Sequence, residues 1–265
     1  MKQILLPLLL CLLVSCGRKT DQTASLDSTT APKIAIEPAT GSPPYPDAKL
    51  VIVSPKEGEV LKNALDSVRV VMQVTGMELA IPTGADSTKG IAYSKQGQHI
   101  HVIIDEKPYM ADYKNGQPFN VGVLAPGKHT IRAFPSYSWH ESIKAPESFA
   151  ARTFSVGAAP SGNTGANDLK APLLTYSRPK GSYTGSDAGR VLLDFFVANA
   201  TLGPDAYRVM LAIDGNAITD IVKWQPYFIT GLAKGKHTIS LQLIDRNGKA
   251  VPGGYNNPSQ EITIG

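Results

Sequence analysis

A duplicated stretch is the feature that most constrains the fold of this 265-residue chain. Residues 98–134 and 207–242 both read as an alternating strand ending in Ile-Asp, then a polar turn, then Leu-Ala-x-Gly-Lys-His-Thr-Ile opening another alternating strand. Self-similarity at a fixed offset indicates a repeated structural unit. Short apolar alternations separated by Gly, Pro and Asn favour strands, and no long stretch has the 3.6-residue period of a helix. The sequence therefore predicts an all-β protein built from two tandem β-sandwich domains.

Eleven strands are predicted in the two copies, and their number fits an immunoglobulin-like or fibronectin-like sandwich. They lie at residues 50–53, 68–74, 99–105, 119–123, 128–134 and 153–156, and at 190–197, 208–214, 227–230, 237–244 and 260–264. The domains are expected at 47–157 and 169–265. Residues 158–168, rich in Gly, Ser and Asn, are the expected linker between them.

The N-terminal segment has the pattern of an export signal. Lys2 precedes an apolar run at residues 4–14 that is too short to span a membrane, so residues 1–15 are predicted to be a signal peptide. Residues 16–46 are rich in Thr, Ser, Ala and Pro and are predicted to form a disordered tether.

The residues Leu13-Val14-Ser15-Cys16 resemble the cleavage box of bacterial lipoproteins. The resemblance implies that Cys16 carries acyl chains such as palmitate and anchors the protein to a membrane, because more than one chain gives stable anchoring. An ordinary secreted protein with an incidental cysteine is the alternative. Gly17 in place of aspartate implies, by similarity to sorting rules, an outer-membrane anchor facing the periplasm, with the cell surface as a second address. Cys11 leaves with the signal, so no internal disulfide is expected.

Charge and motifs narrow the function. Removal of Lys2 lowers the formal net charge from +4 to +3, without a basic stripe, so nucleic acid is not an expected partner. Nucleophile elbows, phosphate loops and dinucleotide fingerprints are absent from the sequence, and the motif beginning at His140 ends in Lys144 where a zinc protease has histidine. The leading interpretation is a non-enzymatic binding or scaffolding module without a cofactor, whose partner is an unknown envelope protein or glycan.

A metal-binding interpretation competes with it. Ile100 and Val102 occupy the core face of their strand, so His99 and His101 point together to the opposite face. Paired imidazoles are a common half of a copper or zinc site. The candidate ligands are His99, His101 and His140, with Met110 as an additional candidate. Two solvated histidines on an exposed strand are the alternative.

One hairpin differs sharply between the copies. Residues 245–248, Asp-Arg-Asn-Gly, are ordinary turn formers, whereas residues 137–140 read Tyr-Ser-Trp-His. An exposed aromatic loop on a rigid sandwich would present a binding surface made of Tyr137, Trp139 and His140. A glycan-binding module led by Trp139, Tyr137 and Tyr93 is a further interpretation. Alternatively, Trp139 folds back over the open end of its own sandwich.

Two further features come from comparing the copies: an insertion in the first copy, and His and Asp residues that both copies share. Residues 75–97 form a long insertion before the histidine pair, either a lid or wall beside it or a plain insertion. His129 and His237 occupy the same place in both copies and are interpreted as scaffold residues at a strand entry. Asp105 and Asp214 are interpreted as shared strand-end turn formers.

Residues 98–156 resemble small secreted bacterial β-sandwich domains of uncharacterised function. The resemblance rests on His-x-His at His99 and His101, the turn at Asp105, Leu-x-Pro-Gly-x-His ending at His129, and a further histidine at His140. It implies a sandwich and leaves the function open. The three non-scaffold histidines suggest that such a domain binds a metal.

Overall fold

The fold is described by a computed structural model that covers residues 33–62, 66–84, 91–157 and 169–265. The predicted signal peptide, Cys16 and the predicted linker at 158–168 lie outside these residues. The strands are β1 Ala35–Pro38, β2 Lys49–Ser54, β3 Glu59–Leu61, β4 Val68–Thr75, β5 His99–Ile104, β6 Met110–Asp112, β7 Pro118–Gly122, β8 Gly127–Ser136, β9 Ala150–Val156, β10 Leu173–Arg178, β11 Gly181–Tyr183, β12 Val191–Ala198, β13 Arg208–Ile213, β14 Asn216–Ile221, β15 Tyr227–Thr230, β16 Gly235–Ile244 and β17 Ser259–Ile264. Each of the eleven predicted strands is present.

The first sandwich has an immunoglobulin-like strand order. One sheet is β2-β4-β7, and the other is β3-β9-β8-β5-β6, in which the short β3 runs parallel to β9. The second sandwich repeats this order, with β10-β12-β15 in one sheet and β11-β17-β16-β13-β14 in the other. The predicted fold class, all-β with tandem immunoglobulin-like sandwiches, is confirmed.

Each sandwich has its own apolar core. Ile100, Val102 and Ile104 are buried in the first core. Val209, Leu211 and Ile213 are their counterparts in the second. The alternating apolar side chains of β5 and β13 thus face the core as predicted, because successive side chains of a strand face opposite sides of the sheet.

The N-terminal strand β1 corrects the predicted tether. Ala35–Pro38 pairs antiparallel with Tyr227–Thr230 of β15 and adds a fourth strand to a sheet of the second sandwich. Ile34 and Ile36 pack against the second core. The prediction of disorder over 16–46 is therefore wrong from residue 33 onward, because pairing with an open sheet edge satisfies a backbone that composition alone left without a partner.

The two sandwiches pack face to face in one compact unit. The outer face of β5 and β8 lies against the outer face of β10 and β12. Phe134 stacks on Phe196 with ring centroids 5.3 Å apart, and Arg132 donates to the Thr175 hydroxyl at 2.9 Å. Asp194, fully buried, accepts from Lys144 and from the Ser142 amide. Within the part of the chain that the structure covers, no helix is long and apolar enough to cross a membrane.

Candidate metal centre

His99 and His101 stand on the outer face of β5, opposite the first core, as the alternation predicts. Both side chains nevertheless have no exposed surface. The face they share is covered by the second sandwich and by the hairpin at 137–140. The alternative of two solvated histidines is therefore wrong, because the other copy of the repeat excludes water from this face.

His140 reaches the same place through a strained turn. Its φ is +69°, and its amide donates to the Tyr137 carbonyl at 2.9 Å. In the second copy Gly248 has φ +78° and donates to Asp245 at 3.0 Å, so the two turns are the same. A left-handed φ suits glycine and is costly for a residue with a Cβ atom. The first copy therefore keeps a glycine turn while placing an imidazole on it.

Three ring nitrogens converge. Nε2 of His99 lies 3.1 Å from Nε2 of His101 and 3.1 Å from Nδ1 of His140. The three atoms all lie within 4.8 Å of one another. With metal–nitrogen bonds of about 2.0–2.1 Å, nitrogens 3.1 Å apart subtend an angle of roughly 100° at a shared ion. These two spacings match those between neighbouring ligands of one transition-metal ion.

A hydrogen bond on the far side of one ring decides which of its nitrogens carries the proton. Nδ1 of His99 lies 2.8 Å from the Gly97 carbonyl, which can only accept, so Nδ1 holds the proton and Nε2 is bare. The Ser177 hydroxyl lies 3.2 Å from the His140 carbonyl and 3.2 Å from Nδ1 of His101, so it holds both histidines from the second sandwich.

The bare Nε2 of His99 has two ring nitrogens as neighbours, Nε2 of His101 and Nδ1 of His140, each at 3.1 Å. Without a metal ion, an N–H of a neighbouring ring can donate to this nitrogen. A metal ion would instead take the lone pairs of the neutral rings.

The surroundings of the three rings disfavour their protonation. Burial lowers the pKa of His99 to about 4 and that of His140 to about 2, and burial also holds the pKa of His101 well below its ordinary value. The positive charge of Arg178 lowers all three further. The three imidazoles are therefore neutral at physiological pH, which is the form that binds metal.

Tyrosines wall the site. Tyr109 stacks on His101 with centroids 3.7 Å apart and an interplanar angle of 8°, and its hydroxyl lies 3.3 Å from Nδ1 of His140. Burial raises the pKa of Tyr109 to about 12, so the hydroxyl is a neutral phenol. Tyr113 packs against His99 at 4.9 Å. The Tyr109 oxygen is the nearest additional candidate ligand.

The long insertion contributes a wall, as one of its two interpretations predicted. Gly97 supplies the carbonyl that orients His99, and the Ser94 amide donates to the Ser138 carbonyl at 2.6 Å. Gly97 has φ +88°, and a Cβ there would meet the Ile81 backbone at 2.2 Å, so the turn requires glycine. Residues 85–90 of the insertion lie outside the described part of the chain.

Met110 is not part of this site. It pairs with Val102 across β5 and β6 and packs against the first core, on the side of the sheet away from the histidines. The suggestion that Met110 completes the ligand set is wrong, because neighbours directly opposite in a sheet share a face and Val102 faces the core.

The expected exposed aromatic loop is also wrong. Tyr137 and Trp139 are 5% and 4% exposed and stack on each other with centroids 4.7 Å apart. The Trp139 indole donates to the Glu141 carboxylate at 2.8 Å, and Tyr137 donates to the Pro43 carbonyl. Trp139 closes its own sandwich, which was the alternative interpretation. Tyr93 is half exposed.

The remaining two histidines belong to the scaffold, as predicted. His129 is bonded to Asp105 at 2.9 Å and to the Ala125 carbonyl at 2.8 Å. His237 is bonded to Asp214 at 2.7 Å and to the Ala233 carbonyl at 2.8 Å, in the same geometry. Identical bonds in both copies identify them as structural.

Sequence reasoning missed the contribution of the second sandwich. Ser177 orients His101, while Arg178 and Lys180 place positive charge beside the three rings. Tyr109 was missed as well. Tyr109 immediately precedes β6, next to the core-facing Met110. Because neighbours of a core-facing residue point to the opposite face, this position could have indicated that Tyr109 lies on the side of the histidines.

Comparisons with known proteins add little. No protein-family model matches the chain, and no curated protein matches it. Among solved structures, the fibronectin(III)-like modules of Clostridium thermocellum CbhA have 13% identity over 81% of this chain and 93% of that one, with a TM-score of 0.26. The Bacteroides ovatus mixed-linkage glucan utilization locus SGBP-B, in complex with a mixed-linkage heptasaccharide, has 13% identity over 81% and 47%, with a TM-score of 0.25. Such TM-scores carry no argument about function.

Proposed function

We propose that this chain is a metal-binding protein that holds one copper or zinc ion on His99, His101 and His140. The observation that carries the proposal is the convergence of three buried ring nitrogens, with Nε2 of His99 lying 3.1 Å from a nitrogen of His101 and 3.1 Å from a nitrogen of His140. Neutral imidazole is a favoured ligand of both metals.

Local electrostatics favour an ion of low charge. The described ligand set is neutral, and the side chains of Arg178 and Lys180 lie close enough to depress the pKa of His101 and His140. Coulomb repulsion is twice as large for a dication as for a monocation at the same distance. Zinc sites also usually have four ligands. Monovalent copper is therefore the first candidate and zinc the second.

A buried site suits tight holding of the ion more than rapid exchange with solvent. Gly97 and Ser177 fix the orientation of two of the rings before the ion arrives, and partners of this kind strengthen metal binding. Because Ser177 comes from the second sandwich, we infer that binding depends on both sandwiches. The duplicated domain thus serves as the cover of the first.

The address of the protein remains part of the proposal. The apolar run at 4–14 and the Leu-Val-Ser-Cys box support a lipid anchor at Cys16, with the sandwiches in the periplasm. A Cys16→Ser variant tests the anchor separately from the metal. We expect it to lose membrane association, as measured by cell fractionation and immunoblotting.

Calorimetric titration of Cu⁺ (under reductant) and Zn²⁺ into the tag-free full chain tests the metal site. The paired protein is the His99→Ala/His101→Ala variant, so that any ion held elsewhere, including on cysteine, cancels in the comparison. We expect one ion per chain with Kd below about 1 μM, a binding free energy beyond about −8 kcal/mol, that is lost in the variant. Equal binding by both proteins would refute the site.

A further inference from the structure

A cleft between the two sandwiches, separate from the three histidines, has the features of a small-molecule site. Its volume is about 230 Å³, roughly that of seven or eight water molecules at about 30 Å³ each. The first sandwich contributes Tyr109 and Arg132, and the second contributes Tyr176, Lys180 and Tyr255. Pockets of this kind, with aromatic walls and a few convergent polar groups, are typical ligand sites.

Arg132 is the unusual residue of the cleft. Its side chain is 4% exposed, and its guanidinium lies 3.7 Å above the ring of Tyr255. Its two terminal nitrogens donate only to neutral oxygens, those of Leu174, Thr175 and Asp105. Its Nε has no hydrogen-bond partner among the described residues. Burial lowers the pKa of Arg132 to about 10, so the group is still charged at neutral pH.

The charge balance of the cleft is positive. Lys107, Arg132 and Lys180 line it against a single carboxylate, that of Glu106. Lys180 donates to the Tyr109 carbonyl at 3.0 Å and lies 4.2 Å from the centre of that ring. In the part of the chain that the structure describes, neither Arg132 nor Lys180 forms an ion pair. A buried cation is costly unless an anion or a set of acceptors compensates it.

We propose that this cleft binds the carboxylate of a small organic acid, with Arg132 as its charged partner at the base and Lys180 at the side. A guanidinium offers charge-assisted donors that pair with carboxylate oxygens, and one of the four terminal hydrogens of Arg132 remains after its bonds to Leu174, Thr175 and Asp105. The rings of Tyr109, Tyr176 and Tyr255 then contact the apolar body of the acid. The second copy has Ser240 at the place of Arg132, so the site belongs to the interface and not to the repeat.

The test compares benzoate with benzamide, which has the same shape without the charge, in titrations of the full chain followed by NMR. EDTA is present, so that a carboxylate bound to a metal ion does not contribute. We expect saturable benzoate binding below about 10 mM and at least tenfold weaker binding of benzamide. Inorganic phosphate, in a third titration, is expected to bind at least tenfold more weakly than benzoate.

Two variants identify the residues. Arg132→Met removes the charge of a buried side chain and keeps its apolar stem. Lys180→Met does the same at a less buried position. Each substitution is expected to weaken benzoate binding at least tenfold. Lys128→Met, an exposed lysine on the same strand as Arg132, is the matched control and is expected to leave binding unchanged. Benzoate that does not saturate, benzamide that binds equally well, phosphate that binds as tightly as benzoate, or a Lys180→Met variant with unchanged affinity overturns the proposal. None of the three histidines is substituted in this test and EDTA removes metal ions, so a negative result does not bear on the proposed metal site.

Discussion

The strained turn at His140 offers a substitution whose two effects can be separated. His140→Gly removes an imidazole from the three-nitrogen cluster and places in the turn the residue that the second copy already has at Gly248. His140→Ala removes the same imidazole but keeps a Cβ atom at φ +69°. The two variants therefore share the loss of the ligand and differ in backbone strain, which favours glycine at this φ, and in the entropy of the unfolded chain, which favours alanine by a smaller amount.

The structure sets the expected magnitudes. Both variants lose the contacts of a half-buried ring, but the glycine variant also loses the strain, so it should be more stable than the alanine variant by about 1 kcal/mol. Metal at 100 times its Kd adds about 2.7 kcal/mol to the free energy of unfolding of the wild-type protein. If loss of one of three ligands raises Kd a hundredfold, that increment falls to about 0.4 kcal/mol in either variant.

Urea denaturation with and without metal measures both quantities. The intrinsic fluorescence of Trp139 reports the first sandwich and that of Trp224 the second, the only two tryptophans in the chain. His237→Gln is the control, because it alters a histidine of the scaffold and should keep the full metal increment. A His140→Gly protein that retains about 2.7 kcal/mol of metal stabilisation would show that His140 is not a ligand. Equal stability of the glycine and alanine variants would refute the strain argument.

Three further predictions concern the support of the site and of the fold. Ser177→Ala removes the partner that orients His101 and should weaken metal binding by about 10- to 100-fold in a calorimetric titration. Asp214→Asn should reduce the free energy of unfolding most between about pH 4 and pH 6.5, measured by urea denaturation across pH. Trp139→Phe keeps an aromatic ring but leaves the buried Glu141 carboxylate without its indole donor, which should cost about 1–3 kcal/mol in the free energy of unfolding.

The pH window for Asp214 follows from opposite shifts in a bonded pair. Burial alone would lower the pKa of His237, but its bonds to Asp214 and Ala233 raise it. The contribution of His237 to the free energy of unfolding is therefore complete below its unfolded pKa and is lost as pH rises through the folded pKa. Burial alone would raise the pKa of Asp214, but its bonds from His237 and Thr238 lower it, so its contribution is present above its unfolded pKa and is lost as pH falls. Because Asp214 is partly exposed, solvent screening keeps the effect small.

Each of the grouped predictions has an outcome that contradicts it. Unchanged metal affinity in Ser177→Ala would mean that the hydroxyl does not orient His101. A stability difference for Asp214→Asn that is constant with pH would mean that the ion pair with His237 contributes nothing. A Trp139→Phe protein as stable as the wild type would show that the Ser42 hydroxyl, which donates to the same Glu141 oxygen at 2.6 Å, is a sufficient partner, or that Glu141 is protonated. Burial raises the pKa of Glu141, so repeating the experiment at lower pH separates the two explanations.

The repeat made most of the fold predictable. Alternation places Val102 and Leu211 inward in both copies, and turn residues such as Gly248 mark where strands end, because strand period and turn preference are local properties of the chain. Strands without such a pattern escaped prediction. Ala35–Pro38 in β1 has few core-facing side chains and is a strand only because an edge of the second sandwich lies beside it.

The candidate site, too, was predictable from the sequence only in part. The sequence by itself determined that His99 and His101 share the face opposite the core, and that His140 stands where the other copy has a glycine. Only the tertiary structure decided that this face is dry, that three ring nitrogens meet on it, and that Ser177, 76 residues from His101, forms a hydrogen bond with one of the rings. The physical reason is that a strand's period specifies which side chains point outward, while the layer that covers them comes from a distant part of the chain whose docking leaves no local pattern.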